Sequence, residues 1–472
     1  MERRDLLKLL SASLGGASLA ACAKDAAAPT SPLEGTLAAL PNSFALYPLI
    51  PPFELRGISL DHYRLDCSVT GQDGMFISGV ETSGAEALYF VQVDFSGPPP
   101  PAPVYVDRMV KAGDRMGGRT VLGVHNYDCN TNGDVGVILS FADPSASAGG
   151  PPTTREVWLH HWGGSWERLL YDGFVTAQGD ILTGLFDDID VHTNCDMLVT
   201  GWYRAKSTIV SQRAATQDPN IPDAQQPQQA VFSISGGNAS TLAVELRDDQ
   251  LQATDGGVAS LGLIDMHDGG HFALQAFPGR LRGASGLGAS GTSPVLIQGR
   301  VGAGARGAVP LTAPAGGTAN PLFSILGGPS GDAYYGPRVG PNGQTAYILV
   351  QPPAGTVLYL GSQRVIGTGD CIPGFGSCNA GDYGIAAVNP PVFGNRGEIY
   401  FVAECPNGAF LCASNGYHTN AYYPRVNFPQ FQSLATSVAL GHLTDSIDPS
   451  GRLYCFTMLN DGTTTPAVAI PS

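Results

Sequence analysis

Short apolar runs alternate with tight polar turns along most of the chain. The stretch from Tyr127 to Phe141, YDCNTNGDVGVILSF, shows the pattern: a strand ends, a polar turn closes at Gly133, and an apolar strand begins. Asn, Asp and Gly tolerate the backbone conformations of tight turns. The apolar runs are rich in β-branched and aromatic residues, which is typical of buried strands. The pattern therefore predicts an all-β protein built from hairpins.

The turn and the strand that follows it recur seven times. The turn residues are Gly71, Gly133, Cys195, Gly270, Gly343, Gly397 and Gly451, and successive copies lie 62, 62, 75, 73, 54 and 54 residues apart. Such units bury their apolar faces against their neighbours, as in propellers and solenoids. We predict a single β-propeller over residues 51–472, most simply with seven four-stranded blades. The last strand, Ala467 to Ile470, is expected to pair with the N-terminal region and close the ring.

Composition agrees with this architecture and limits the classes of partner. The 472 residues include 62 glycines and 36 prolines, which indicates many turns, and only 14% are charged. The net charge is −15, and the chain after its N-terminal segment has no cluster of Lys and Arg. Nucleic-acid binding needs a basic surface, so we expect no nucleic-acid partner. We expect a monomer.

The N-terminal segment predicts export and a lipid anchor. Arg3 to Lys8, RRDLLK, resembles the twin-arginine export motif, and the apolar segment after it is too short to span a bilayer. Leu19 to Cys22, LAAC, resembles a bacterial lipobox. The resemblance implies a signal peptide over residues 1–21 and a lipidated Cys22, followed by a linker to residue 50. The alternative is an ordinary secretory signal with a chance cysteine.

The same resemblance predicts a location. Acyl chains on Cys22 would hold the protein to a membrane. Ala23 follows the cysteine, and in lipoproteins of Gram-negative type this implies the outer membrane. The domain would then lie in the cell envelope, at the periplasmic face of that membrane or at the cell surface.

A second short motif supports the repeats. Gly113-Asp114 and Gly369-Asp370 precede the turn glycines Gly133 and Gly397 by 20 and 28 residues. This spacing resembles repeats in bacterial exported β-propeller proteins of uncharacterised function. The resemblance is spread over most of the chain after the signal, and it implies a fold without implying a chemistry.

Eight cysteines remain after Cys22, an even number that favours disulfides in an exported chain. Cys371 and Cys378 flank a Pro/Gly loop, and Cys405 and Cys412 bracket a Pro-Asn-Gly turn. We predict a disulfide in each pair.

The other four cysteines leave alternatives open. Cys67 and Cys129 occupy the same slot in adjacent blades, where they would form a bridge or two buried thiols; Cys195 and Cys455 look like core positions. No C-x-x-C pair suggests a structural zinc site. We therefore expect no cofactor.

One turn contains half of a calcium motif. Asp128, Asn130 and Asn132 alternate before Gly133-Asp134, as in D-x-[DN]-x-[DN]-G. Leu139 stands where an EF-hand needs its glutamate, so an EF-hand is excluded. A shorter Ca²⁺ loop is one interpretation. The other is that the side chains bond their own turn amides.

Four acids share one slot. Asp66, Asp128, Asp190 and Asp265 end a strand in four consecutive copies. Near the propeller axis they would form an acidic arc that binds a cation or activates water. The alternative is a repeated aspartate that stabilises the turn.

Three aromatic or histidine groups are further candidates. VWLHHWGGSWE contains Trp158, His160, His161, Trp162 and Trp166 and suits a sugar-binding groove or packing between blades. His192, His267 and His271 would bind a metal ion if they converged. The connection that contains Tyr417, His418, Tyr422, Tyr423 and Phe428 is a candidate recognition loop, or it packs over a blade interface.

No motif identifies an activity. The sequence has no G-x-S-x-G, H-E-x-x-H or P-loop motif. We interpret the protein as a membrane-anchored binding or scaffold module for an envelope protein, peptide or glycan. The alternative is an extracytoplasmic hydrolase or lyase on a polysaccharide or peptide, with acids such as Asp128 and Asp190 at the propeller axis.

Overall fold

The computed structural model describes residues 39–50, 54–55, 57–71, 73–97, 101–143, 153–177, 179–204, 228–247, 258–267, 270–278, 295–301, 333–341, 343–351, 355–375, 383–423, 427–428, 433–440 and 446–471. The predictions for the signal peptide and Cys22 lie outside these ranges. Among the described residues, none forms a helix with the length and hydropathy of a transmembrane span.

Seven antiparallel sheets follow one another along the chain, which confirms the predicted all-β propeller with seven blades. The first strand is Phe44–Pro48 (β1). Blade one contains Glu54–Leu55 (β2), Ile58–Thr70 (β3), Gly74–Glu81 (β4), Glu86–Asp94 (β5) and Ala102–Lys111 (β6). Blade two contains Arg115–Met116 (β7), Arg119–Cys129 (β8), Val135–Ala142 (β9), Thr153–His160 (β10) and Trp166–Leu170 (β11).

The middle blades are smaller. Blade three contains Ile181–Val191 (β12), Met197–Arg204 (β13), Gln228–Ile234 (β14) and Ala243–Arg247 (β15), with 3-10 turns at Thr193–Cys195 and Ala239–Thr241. In the described part of blade four the strands are Val258–His267 (β16), His271–Pro278 (β17) and Val295–Arg300 (β18). Blade five contains Ala333–Val339 (β19), Thr345–Gln351 (β20), Gly355–Leu360 (β21) and Gln363–Gly367 (β22).

The last two blades complete the ring. Blade six contains Ala387–Val388 (β23), Val392–Phe393 (β24), Ile399–Cys405 (β25), Gly408–Ser414 (β26) and Thr419–Tyr422 (β27). Blade seven contains Asn427–Phe428 (β28), Ser433–Ala439 (β29), Leu453–Leu459 (β30) and Thr464–Pro471 (β31), to which β1 adds.

The N-terminal strand closes the propeller. β1 pairs antiparallel with β31, from Phe44 opposite Pro471 to Pro48 opposite Ala467, which confirms the predicted closure. The propeller therefore begins before residue 51. The pairing covers the outer edge of β31, and exposed edges are the weak point of an open array of sheets.

The apolar runs are buried because adjacent blades pack face to face. Phe76 and Phe90 of blade one share a core cluster with Val137 and Leu139 of blade two, and all four side chains are 0–1% exposed. A middle strand is covered on both faces, so its sequence is continuously apolar instead of alternating.

Most of the predicted turn residues have the backbone that a tight turn needs. Gly133, Gly270, Gly343, Gly397 and Gly451 have φ between 69° and 89°. In blade one the left-handed residue is Asp73, with φ 55°, and not the predicted Gly71. The left-handed position of that turn therefore lies two residues later than the repeat predicts.

Three of the four repeated aspartates connect neighbouring blades. The Oδ2 atom of Asp128 accepts a hydrogen bond from the backbone N–H of Val191 at 2.7 Å. Asp190 accepts from Met266 N at 2.7 Å, and Asp265 accepts from Val339 N at 2.5 Å. We call Asp128, Asp190 and Asp265 the aspartate ladder. The backbone of Asp66 lies in β3, but its side chain is outside the described part.

The ladder differs from both sequence interpretations. Each aspartate is 6–7% exposed, and its partner lies 63 to 76 residues further along the chain, on the first long strand of the next blade. The ladder aspartates therefore hold blades together by satisfying a buried backbone donor.

The predicted disulfide between Cys405 and Cys412 is wrong, because both thiols are free. A two-residue turn places Cys405 opposite Gly408 and Cys412 opposite Phe401. The two cysteines are then about four residues apart along the hairpin, roughly 13 Å. A disulfide tolerates a Cα separation of at most about 7 Å.

The other cysteines follow a simpler pattern. Cys371 is disulfide-bonded, while its predicted partner Cys378 lies outside the described residues. Cys129, Cys195 and Cys455 are buried and form no disulfide, so Cys129 is not bridged to Cys67.

The aspartate ladder predicts that removing Asp128 lowers the free energy of unfolding more than removing the exposed Asp61. Asp128→Ala leaves the buried N–H of Val191 without its acceptor and should lower the free energy of unfolding by about 2 kcal/mol. The control is Asp61→Ala, because the Asp61 side chain is 70% exposed and its loss should cost less than about 0.5 kcal/mol. Urea unfolding followed by tryptophan fluorescence measures both. Equal costs would contradict the bridging role.

A second buried acid beside the ladder predicts a pH dependence. Burial raises the pKa of Asp188 from 3.8 to about 7, and the nearby charge of Asp190 adds to the rise. Between those two values the folded protein holds a proton that the unfolded chain releases, so the free energy of unfolding should fall as pH rises from about 4 to 7. Asp188→Asn removes this contribution. Unfolding of both proteins from pH 4.5 to 7.5 should show the wild type losing stability relative to the variant, and a pH-independent difference would refute the assignment.

Candidate functional site

One end of the propeller collects the turns that the sequence pattern identified. The turns β8–β9, β10–β11, β12–β13 and β16–β17 all lie at this end, because successive strands of a blade run in opposite directions. We call it the turn face. Blades two, three and four meet there and bring together a cavity and a cluster of polar side chains.

The cavity lies between blades three and four and has a volume of about 310 Å³. Its lining mixes imidazoles, small polar groups and apolar groups, including His192, Asn194, Asp196, Met266, His267 and Val301. A concave site with a few polar groups on an apolar wall is the usual form of a small-ligand site.

His192 forms part of the cavity wall and is held firmly. Its Nε2 atom contacts the carbonyl oxygen of Met266 and lies 3.3 Å from the Asp190 carboxylate. With two oxygens as neighbours, Nε2 carries the proton and donates. The ring of His267 lies 5.9 Å from that of His192. Two imidazoles therefore flank the cavity.

His271 serves a different contact. Its ring packs under the blade-five turn, where a Cβ on Gly343 would come within 2.8 Å of the imidazole. Burial lowers the pKa of His271, and the positive charge of Arg300 lowers it further. Within the described residues, the one group of three side chains that gathers ligand atoms for a metal ion does not include His192, His267 or His271.

That group consists of Asp134, His161 and Cys195, which we call the DHC cluster. The Cys195 Sγ atom lies 3.2 Å from Asp134 Oδ2 and 3.7 Å from His161 Nδ1. His161 Nδ1 lies 3.5 Å from Asp134 Oδ1. Asp134 and His161 come from two turns of blade two, and Cys195 comes from the β12–β13 turn of blade three.

A second layer of hydrogen bonds fixes the carboxylate of Asp134. Asn130 donates from Nδ2 to Asp134 Oδ2 at 3.0 Å, and the backbone N–H of Trp162 donates to Oδ1 at 2.9 Å. The same Asn130 amide also reaches the carbonyl of His192 at 3.3 Å. The DHC cluster is therefore tied to the residue that lines the cavity.

These contacts also describe the oxygens of the calcium motif. The Oδ1 atom of Asn130 accepts from the backbone N–H groups of Asn132 and Asp134, both at 3.0 Å. Asp128 accepts from blade three instead. The Asn130 contacts match the interpretation in which side chains of this turn bond its own amides. A Ca²⁺ ion at this loop stays a prediction.

Cys195 has an unusual backbone for its residue type. Its φ is 59°, and that of Asn194 before it is 67°. Left-handed conformations are costly for residues with a Cβ, and they tend to occur where function requires them. Other blades place glycine at this position, so the side chain of Cys195 is retained against a conformational cost.

Without another ligand the DHC cluster is a hydrogen-bonded network. Burial raises the pKa of the Cys195 thiol to about 12, and its hydrogen bond to Asp134 adds to the rise. Burial works in the same direction on Asp134, but hydrogen bonds from Asn130, Trp162 and Cys195 outweigh it and lower the pKa of that carboxyl. Since the thiolate is the nucleophilic form, Cys195 alone is not a nucleophile at neutral pH.

The aromatic groups of blade two pack mostly against protein. Trp158 is 5% exposed in the core between blades one and two. Trp166 lies against His160 at 5.0 Å. Trp162 is 41% exposed and meets Phe90 edge-on at 4.7 Å. The contacts of Trp158 and Trp162 are packing between blades one and two, and that of Trp166 lies within blade two. These contacts do not form an open sugar-binding groove.

The candidate recognition loop divides into two parts. Tyr417 is 59% exposed and His418 is also exposed. Tyr422 instead donates to the carbonyl of Pro41 and supports ring closure, while Tyr423 stacks on Phe410. The backbone of Phe428 lies in β28, and its side chain is outside the described part.

Sequence reasoning named each member of the DHC cluster but did not group them. Asp134 belonged to the calcium motif, His161 to the aromatic run and Cys195 to the turn slot. Ligands contributed by separate turns have no fixed spacing in the sequence. The one available signal was a cysteine at a position where five other copies of the turn have a left-handed glycine.

No protein-family model matches the chain, and no curated protein matches it either. Among solved structures it is similar to a puromycin-hydrolysing peptidase from Mycobacterium tuberculosis, with 10% identity and a TM-score of 0.46 over 91% of this chain and 54% of that one. It is similar to an α-L-arabinofuranosidase from Fusarium graminearum, with 9% identity and a TM-score of 0.37 over 91% and 98%. An ulvan lyase matches with 10% identity and a TM-score of 0.43 over 87% and 94%.

The chain spans about half the length of the puromycin-hydrolysing structures. Identities of 9–12% support no inference of shared activity. The sheet topology of the chain itself establishes the propeller.

Proposed function

We propose that the protein is an exported, lipid-anchored β-propeller that binds a segment of an envelope glycan or peptide at the turn face of blades two to four. The observation that carries the proposal is the cavity between blades three and four. Its 310 Å³ volume suits one sugar ring or one side chain. The cavity would therefore bind one unit of an extended chain.

The lining favours a polar, uncharged or cationic unit. Two imidazoles and the amide of Asn194 supply hydrogen bonds, Met266 and Val301 supply apolar contact, and Asp196 adds a negative charge. No lysine or arginine is among the cavity's lining residues. The side chains on this wall therefore give little support to an acidic ligand.

The lipid anchor rests on the sequence alone. The twin-arginine-like segment from Arg3 and the lipobox-like LAAC ending at Cys22 support it. A chain tethered in this way would present its propeller to polymers of the envelope, at the periplasmic face of the outer membrane or at the cell surface.

A second candidate function is an extracytoplasmic hydrolase or lyase on a polysaccharide or peptide. The Asp190–His192 pair at the cavity wall favours it, because a carboxylate that orients an imidazole is a common arrangement for acid–base catalysis. Against it, Asp128 and Asp190 already accept buried backbone N–H groups. The binding function therefore has the better support.

The cavity predicts where binding is lost. His267→Ala removes an imidazole from the wall and should weaken a ligand found on a glycan and peptide array by roughly tenfold, the effect of one lost hydrogen bond. The control is His62→Ala, because the His62 side chain is 56% exposed on blade one. Calorimetry on the best ligand measures both.

Two outcomes would oppose the binding function. Equal affinity of the wild type and His267→Ala would place the ligand elsewhere. Turnover of a polymer on the array, lost in His192→Gln, would favour the enzyme instead.

The lipid anchor predicts a difference in detergent partition between the wild type and a variant without Cys22. Wild-type protein expressed in a Gram-negative host should partition into the detergent phase, whereas Cys22→Ser should partition into the aqueous phase, because it has no site for acyl chains. Cys405→Ser, which alters a cysteine of the propeller, serves as the control. Detergent partition of the Cys22→Ser protein at the wild-type level would overturn the lipid anchor.

A further inference from the structure

We propose that the DHC cluster binds a divalent transition-metal ion of the zinc class, with Asp134, His161 and Cys195 as its three protein ligands. The inference does not depend on the glycan- or peptide-binding function. It rests on geometry, on the support of the ligands and on the backbone of Cys195.

The spacing of the three ligand atoms fits a tetrahedral ion. Zinc bonds of about 2.0 Å to oxygen, 2.0–2.1 Å to nitrogen and 2.3 Å to sulfur place neighbouring ligand atoms about 3.3–3.6 Å apart. In the DHC cluster Cys195 Sγ lies 3.2 Å from Asp134 Oδ2 and 3.7 Å from His161 Nδ1, and the other oxygen of the same carboxylate, Oδ1, lies 3.5 Å from that nitrogen. One ligand atom from each residue lies within 4.8 Å of the others. Small side-chain movements are enough to surround an ion.

The ligands are held as metal ligands usually are. Both oxygens of Asp134 accept a hydrogen bond, from Asn130 and from the Trp162 backbone. Outer partners of this kind orient a ligand before the ion arrives. Gly237 packs closely against Cys195 because it has no side chain. A Cβ at this position would come within 2.6 Å of Leu159 and 3.2 Å of the Cys195 Cβ.

The backbone of Cys195 is the independent observation. A hydrogen bond from a thiol is weak, whereas the left-handed conformation of Cys195 is costly for any residue with a Cβ. Glycine in the same slot of other blades shows that the turn itself needs no side chain. A bond between the thiolate and a metal ion would account for a cysteine at this position.

The donor set selects the ion. One sulfur, one nitrogen and one oxygen suit a borderline ion such as Zn²⁺, and they do not suit Ca²⁺, which takes six to eight oxygens. Binding replaces the thiol proton on Sγ with the ion, and that proton leaves to solvent. The His161 side chain is 45% exposed, so water can reach the fourth position.

The ion would also join two blades near the cavity. Cys195 lies between Asn194 and Asp196, both of which line the cavity. A bound ion would therefore fix this turn against blade two.

Cobalt provides a direct probe, because Co²⁺ replaces Zn²⁺ and gives visible bands in tetrahedral sites and a near-ultraviolet band from thiolate coordination. The purified, chelator-treated protein should show both at one equivalent of Co²⁺, and Zn²⁺ should remove them. Asp134→Asn, His161→Ala and Cys195→Gly should each lower the affinity at least about 100-fold. Asn130→Ala should lower it by about 10- to 100-fold.

The variants are chosen so that a folding defect cannot imitate the result. Cys195→Gly installs the residue that other blades place in this slot, and its unfolding transition checks the fold. His160→Ala and Cys455→Ser are matched controls and should bind cobalt as the wild type does. Absence of a thiolate band in the wild type, or a band that persists in Cys195→Gly, would overturn the site.

Discussion

A buried carboxylate on one blade that accepts the backbone N–H of the next is the contact on which the middle of this propeller depends. Apolar packing between blades is non-directional and would tolerate sliding or tilting. The aspartate ladder adds a directional contact, and its length fixes how far each first strand lies from the next. The ends of those strands begin the turns that carry Asp134, Cys195 and part of the cavity wall.

The functional chemistry therefore belongs to interfaces rather than to blades. The DHC cluster draws two side chains from blade two and one from blade three, and the cavity lies between blades three and four. A blade by itself would present an incomplete set of groups. This arrangement explains how a repeated structural unit can carry a site that is not repeated, since a single substitution in one turn slot, cysteine for glycine, changes the chemistry of one interface only.

The architecture was predictable because short segments of the chain, the turns and the apolar strands after them, determine it. Turn residues such as Gly133 and Gly397 and the apolar runs after them gave the blade count, and ring closure followed from the need to cover an edge. The partners of the ladder aspartates were not predictable, because a backbone N–H on another blade has no side-chain signature. The Cys405–Cys412 error has a similar origin: strand register depends on the length of the turn, and both cysteines were assigned to the ends of a longer loop than the one that forms.

The most direct test of this account is amide hydrogen exchange at Val191, Met266 and Val339, measured by mass spectrometry with residue-level fragmentation under native conditions. If the ladder connects the blades, these three amides exchange only through global unfolding and are as slow as amides in the middle of β9. Exchange as fast as that of the exposed turn residues Gly163 and Ser165 would contradict the ladder and, with it, the placement of both sites.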